Sequence, residues 1–324
     1  MGIWRKSKLD AILAAMSIAQ AALMFWLASI WEGLPTLARL CSLLLLVITI
    51  VYNIIVISHT FAHAPWFKST RLNGLMSLVN SINIGQSMQS YHLAHVRNHH
   101  RYNNDAGRMD GTTKDLSSTY RDGFGGGHTS VFRYAFLGAA ATLLDVCREL
   151  LLVTRQWRVG VHESKLLALA SRATSRRRHE LRQVQVDRIG RFFCIAGFLL
   201  LSWRWTLECY LPAFFLALVL VNVQNYYEHY GAAPGCRWAD SVSYYGSLYN
   251  LVAFNDGYHQ EHHLRPMSHW TELPAVRERN TLLLNQVERV ISPVPAILGF
   301  LHRGRPLLHH RAVLAALAAG PEAQ

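Results

Sequence analysis

Histidine is the residue type whose placement in this chain needs a chemical explanation. There are 17 histidines, and nine of them fall in four short groups. The groups are His59 with His63; His95 with His99 and His100; His229, preceded by Asn225; and His259 with His262 and His263. Residues three or four apart share one face of a helix, so each group can aim its donors at one point. Imidazole is a borderline ligand that suits Fe, Zn, Cu and Ni. Nine imidazoles are too many for one ion. Two ions account for the number and leave room for O2 or a bridging oxygen. Asn225 is expected to join them as a ligand. Neutral imidazoles leave the metal charge uncompensated, so carboxylates are expected to accept the second ring N–H. Asp105, Asp110, Glu228, Asp256 and Glu261 are the candidates. His92 is read as a ligand, a supporting residue or an interface residue. His128, His162, His179, His269, His302, His309 and His310 are read as surface or packing residues.

The elements that must position these groups are apolar helices. Residues 11–31 carry no charge. A helix of that length rises about 30 Å, one hydrocarbon core. It is too long for a signal peptide, and no small-residue cleavage site follows. Glu32, Gly33 and Pro35 make a turn, and 37–58 form a second apolar run, so the two read as a transmembrane hairpin. A second hairpin is expected over 192–208 and 211–227, turning near Leu211 and Pro212. Arg5, Lys6 and Lys8 precede the first run, and 155–191 are strongly basic. By the positive-inside rule these segments and the histidine groups are cytoplasmic. Residues 72–90 read as interfacial, 131–153 as an interfacial or partly buried helix, and the tail after 311 as a short amphipathic helix. Gly123 to Gly127 read as a flexible loop without phosphate-loop context. The fold class expected is therefore all-α and integral-membrane: four spans in two hairpins, with a cytoplasmic helical cap from 59–191 and 228–324 carrying a di-metal site, in one domain over 1–324.

Composition agrees. Charged residues make up 16% of the chain, against about 25% in soluble domains, and hydrophobic residues 51%. The net charge of +12 flanks apolar segments, which points to topology and an anionic membrane surface, not to nucleic acid. The five cysteines form no C-x-x-C pair and no disulfide framework. A bis-histidine haem protein would carry its histidines inside the spans, and a metal transporter would carry ligands at mid-membrane depth. Here they cluster at span ends.

The order of these groups resembles the membrane fatty acid desaturase and alkane hydroxylase superfamily, over about residues 10 to 280. The boxes are H-x-x-x-H, H-x-x-x-H-H, N-x-x-x-H and H-x-x-H-H. The resemblance implies two ferrous ions held by the nine histidines, with Asn225 acting through water. It implies O2 as co-substrate and a lipid, fatty acid or alkyl substrate. It also implies electrons from a separate ferredoxin, rubredoxin or cytochrome b5 type donor with its reductase. The expected reaction is fatty acyl desaturation. The segments His95–Arg101 (HVRNHHR) and Asn225–Gly231 (NYYEHYG) are similar to alkane hydroxylases, whereas Thr60 and Ala64 depart from that group and His259–Pro266 (HQEHHLRP) looks more like acyl desaturases. Hydroxylation and oxidative decarboxylation to terminal alkenes are the other chemistries the superfamily implies. The Arg-rich, Lys-poor composition suggests a bacterial inner membrane.

Overall fold

The computed structural model describes residues 2–154 and 161–311. The tail after 311 and the His162 side chain lie outside what is described. Every named element among the described residues is helical: α1 (Asp10–Ile30), α2 (Thr36–Tyr52), α3 (His59–His63), α4 (Thr70–Ile84), α5 (Met88–Ala94), α6 (His100–Tyr102), α7 (Gly138–Thr154), α8 (Val161–Ala168), α9 (Thr174–Trp205), α10 (Leu211–His229), α11 (Ser247–Val252), α12 (His259–Leu264), α13 (Leu273–Arg279) and α14 (Thr281–Asn285). Wider π-turns interrupt them at Asn53–Ser58, His95–His99, Arg133–Leu137 and Thr206–Tyr210. The chain divides into two compact units. One comprises Met1–Arg97 with Phe136–Val221, the other Asn98–Ala135 with Asn222–Gln324.

Three helical runs of the described residues are long and apolar enough to cross a membrane: Asp10–Gly33, Thr36–His63 and Thr174–His229. The last contains both expected limbs of the second hairpin. Its reversal falls at Ser202, not at Leu211 and Pro212. Ser202 is extended (φ −159°, ψ 105°), and its Oγ accepts the backbone N–H of Trp205 at 3.0 Å, as an N-cap does. Phe198 and Tyr210 would stand about 18 Å apart on a straight helix. Their rings lie 5.3 Å apart instead. Pro212 lies ten residues into the second limb, directly after the π-turn Thr206–Tyr210, an irregularity of the kind that accommodates a residue without an N–H.

In the first unit, α4 packs on α1 and α9, and α5 packs on α9. The turn between α1 and α2 and the turn at Ser202 lie together. Ser202 Oγ donates to Glu32 Oε1 at 2.9 Å, and Arg204 reaches both Glu32 (3.4 Å) and Glu208 (3.5 Å). Leu13, Met24, Leu46, Ile50, Phe198 and Phe214 are buried, while Leu37, Leu44, Ile48 and Leu200 face outward. Outward leucines suit a surface that meets hydrocarbon. Between such helices packing and polar contacts, not the hydrophobic effect, hold the bundle. Two groups of side-chain contacts supply the polar part: Ser17 Oγ donates to Asn80 and Asn83 donates to Ser17, while Ser58 donates to Asn53, which donates to Gln20. Helix α4 accordingly buries Ser77, Asn80 and Ser81 and exposes Leu75. It ends at Gly85, whose φ of +65° and 2.5 Å clearance to the Phe214 ring admit no side chain.

The second unit is richer in loops. Its small apolar core contains Ala232, Val242, Val290 and Leu308. Arg305 is buried there, donating to the carbonyls of Tyr227 and Tyr230.

Candidate metal centre

In the first unit, α3 carries His59 and His63 one turn apart, and His95 opens the π-turn after α5. Their ring centroids are 5.1 Å (His59–His63), 4.7 Å (His59–His95) and 5.0 Å (His63–His95) apart. Their ligand atoms lie within 4.8 Å of one another. His92 is not in this group. Its Nδ1 bonds the Ala62 carbonyl at 2.8 Å.

In the second unit, His99, His229 and His263 place their ligand atoms within 4.8 Å of one another, and all three are buried. His259 Nε2 is 3.4 Å from His229 Nε2. His262 Nε2 is 3.0 Å from His100 Nε2, and the His100 and His263 rings are 4.5 Å apart. Thus His95 and His99, four residues apart, belong to different groups, although an unbroken α-helix would stack them. The π-turn between them accounts for this, because i→i+5 bonding adds a residue to the turn. Each end of that turn is tied down within its own unit. Arg97 makes a two-point ion pair with Glu180 and donates to the Leu169 carbonyl at 2.9 Å. Asn98 exchanges bonds with Lys114 (2.9 Å) and Leu116 (2.7 Å).

The polar partners fix the protonation of these rings. A carboxylate only accepts, so His99 carries its proton on Nδ1, which donates to Asp115 Oδ2 at 2.7 Å. A carbonyl only accepts, so His229 Nδ1 donates to the Asp240 carbonyl at 3.3 Å. With both rings neutral, their Nε2 atoms carry lone pairs that face each other at 3.1 Å. Two such lone pairs repel unless a proton or a metal ion lies between them. His263 leads to the same conclusion. Neither of its ring nitrogens has a hydrogen-bond partner, and both are buried. Burial, then the neighbouring imidazoles of His100, His259, His229 and His99, holds its pKa well below the usual histidine value. The ring stays neutral with one nitrogen lone pair available. Neutral, converging, buried imidazoles are the donor set of a transition-metal site.

The expected carboxylates divide. Glu228 lies 3.7 Å from His259 Nδ1. Glu261, in the middle of the last box, accepts from Ser243 (3.0 Å) and Tyr245 (2.7 Å). Asp256 accepts from Gln224 and Tyr249. Asp105 and Asp110 instead brace a loop, through the backbone N–H groups of Lys114 and Asp115 and through Thr112. Asp115 does what was expected of them. Burial pushes its carboxyl up, but the His99 ring and the N–H groups of Ser117 and Asn104 outweigh that and hold it low. Nothing in the spacing marks it. It lies in a turn-rich segment, and only the loop's closure brings it to His99. The amide nitrogen of Asn225 donates to the Tyr134 hydroxyl and, at 3.5 Å, to the Ser117 carbonyl, which leaves Oδ1 as its donor atom. His128 packs on Tyr120 with ring centroids 3.9 Å apart, as a packing residue would.

The fatty acid desaturase family model matches residues 34–291, a stretch that contains all four histidine groups and Asn225. This chain belongs to the fatty acid desaturase family. A comparison with curated proteins found no match. As a desaturase-family protein it is an oxidoreductase of fatty acyl chains bearing membrane-spanning helices and histidine clusters able to hold metal.

Proposed function

We propose that this desaturase-family protein is an O2-dependent di-iron enzyme that introduces a double bond into a fatty acyl chain. The irons would be held by His59, His63, His95, His99, His100, His229, His259, His262 and His263, with Asn225 contributing through Oδ1. Once bound, they supply the oxidising power needed to take hydrogen from unactivated C–H bonds, which acid–base side chains cannot do. The protein's own part is orientation and exclusion of water. Asp115 turns His99 so that Nε2 points inward, and the Asp240 carbonyl does the same for His229. The buried surroundings of His99, His229 and His263 keep bulk water away. Electrons come from a separate ferredoxin, rubredoxin or cytochrome b5 type donor.

The observation that carries this reading is the family match across all four histidine groups. We place both limbs of the Thr174–His229 run across the membrane, making four spans, with the metal ligands cytoplasmic. The pairing of the Glu32 and Ser202 turns supports that topology, and so do the basic flanks. The Arg-rich composition favours a bacterial inner membrane. A second reading, hydroxylation, is favoured by the segment Asn225–Gly231, which is similar to alkane hydroxylases.

The test is product analysis. The purified chain in lipid nanodiscs is loaded with ferrous iron and supplied with each donor and reductase in turn. Deuterated fatty acyl substrates and alkanes are then offered under O2. Loss of two vicinal deuterons is the expected outcome. Exclusive formation of alcohols or of chain-shortened alkenes overturns desaturation.

A further inference from the structure

A side-chain amide offers an oxygen at one end and two N–H donors at the other, so an asparagine ligates a metal ion only when it is turned the right way. The two ends have nearly the same shape, and packing alone does not choose between them. For Asn225 the choice is made by hydrogen bonds that start at the Ser117 carbonyl, in the same second unit. A carbonyl only accepts, so the Tyr134 hydroxyl donates to it, at 2.6 Å. The hydroxyl proton is thereby engaged, and the hydroxyl oxygen accepts from Asn225. The Asn225 atom against it is therefore Nδ2, which also reaches the Ser117 carbonyl at 3.5 Å. Oδ1 is left at the other end of the amide. No ionised group takes part at any link. Tyr134 is itself held in place. It lies in the π-turn Arg133–Leu137. On α10, Asn222, Asn225 and Tyr226 share one face. Asn222 donates to the Ala135 carbonyl at 3.1 Å, the Tyr226 hydroxyl donates to the Thr129 carbonyl at 2.9 Å, and the Tyr134 and Tyr226 rings are 5.5 Å apart. These contacts bracket Asn225 and fix the hydroxyl against its amide. The Ser117 N–H donates to Asp115 Oδ1 at 2.8 Å, and Asp115 turns His99. Ser117 thus serves two candidate ligands, His99 through its N–H and Asn225 through its carbonyl.

We propose that Tyr134 is a positioning residue for the metal centre: its hydroxyl passes the polarity of the Ser117 carbonyl to the Asn225 amide, so that Oδ1 and not Nδ2 is presented as the donor. This rests on the metal-binding reading above. Without the hydroxyl, Nδ2 keeps only the Ser117 carbonyl at 3.5 Å, long for an N–H···O bond, and the amide is free to turn over. Groups that orient metal ligands from outside contribute roughly 10–100-fold in metal affinity.

The test titrates the purified full-length apoprotein in nanodiscs with ferrous iron, for the wild type, Tyr134→Phe, Asn225→Ala and the double variant. Phenylalanine keeps the ring and removes only the hydroxyl. Tyr134→Phe is expected to bind iron about 10-fold more weakly, Asn225→Ala at least as weakly, and the double variant no more weakly than Asn225→Ala. A residue that merely packs would add its own loss to that of Asn225→Ala, because independent effects add. Full additivity overturns the proposal, as does wild-type affinity in either single variant. If Tyr134→Phe cannot be recovered folded, Tyr134→Phe with Asn225→Asp takes its place, since a carboxylate presents an oxygen whichever way it turns. Recovery with the affinity of Asn225→Asp alone supports the proposal; weaker binding, or no folded protein, overturns it. A wild type that binds no iron would instead defeat the metal-binding reading itself, so the two failures are distinct.

Discussion

Asp115 lies against the face of His99 opposite the converging histidines: its Oδ2 is 2.7 Å from Nδ1, while Nε2 on the far side is 3.1 Å from His229 Nε2. The loop over 103–119 makes that contact. Asp115 also accepts the N–H groups of Asn104 (2.9 Å) and Ser117 (2.8 Å), and Asn104 in turn accepts from Thr119 at 2.7 Å. Asn103 and Asn104 adopt left-handed backbone to close it.

Asp115→Asn preserves shape and removes charge. The new amide N–H must face either His99 Nδ1–H or a backbone N–H, and both are donors. Iron affinity is expected to fall by about 10–100-fold. Titration of the apoprotein with ferrous iron measures it. An unchanged affinity would show that the carboxylate does not orient the ring.

His63→Ala and His263→Ala each delete a buried imidazole from one group. Both are expected to reduce iron content and to lower product formation by at least the same factor of about 10–100. The parallel substitution His92→Ala removes a ring that bonds Ala62 and stands outside the groups, so iron content is expected to hold. Equal losses in all three would argue that the histidines act by packing alone.

Metal removal is expected to destabilise the protein, because a ligand that binds only the native state is then lost. A ligand that binds only the native state contributes about 2.7 kcal/mol at a hundred times its Kd. Melting in detergent with and without a strong chelator reads this directly. The midpoint is expected to drop on chelation and to rise again with added ferrous iron. A midpoint indifferent to both would contradict a metal-bound native state.

His128 gives an acid-dependent term. Burial, then the proximity of His310 and His309, lowers its pKa to about 3. In the unfolded chain the pKa is about 6.5. Between these values the unfolded state binds more protons, so stability rises with pH across that window and is lost as pH falls through it. His128→Phe keeps the stacking on Tyr120 and removes the titration, so its melting point is expected to fall less between pH 6.5 and pH 4. Identical slopes for the two proteins would refute the assignment.

Ser202 caps the second limb of the reversal and bonds Glu32. Ser202→Ala is expected to cost about 0.5–2 kcal/mol, the usual range for a lost helix cap. Thermal denaturation in nanodiscs provides the measurement. No change in the midpoint would mean that the turn is set by packing of Phe198 and Tyr210 instead.

Much of this protein could be read from its residues in order. A charge-free run such as 11–31 is legible because hydrophobic length against bilayer thickness is a one-dimensional property. The histidine boxes are legible for a similar reason: spacings of three and four are local, and four such groups at the ends of apolar runs have few other uses. What the order of residues leaves open is everything that depends on closure in space. Local spacing put His95 and His99 on one face, but the π-turn assigns them to different groups. Composition points to a reversal at Leu211 and Pro212, but Ser202 takes it: its hydroxyl caps the next limb, and the proline follows a π-turn inside that limb. Nearness along the chain points to Asp105 and Asp110, but Asp115 is the acid that reaches His99. A hydrogen bond at 2.7 Å depends on where a loop returns, and only the folded backbone determines that.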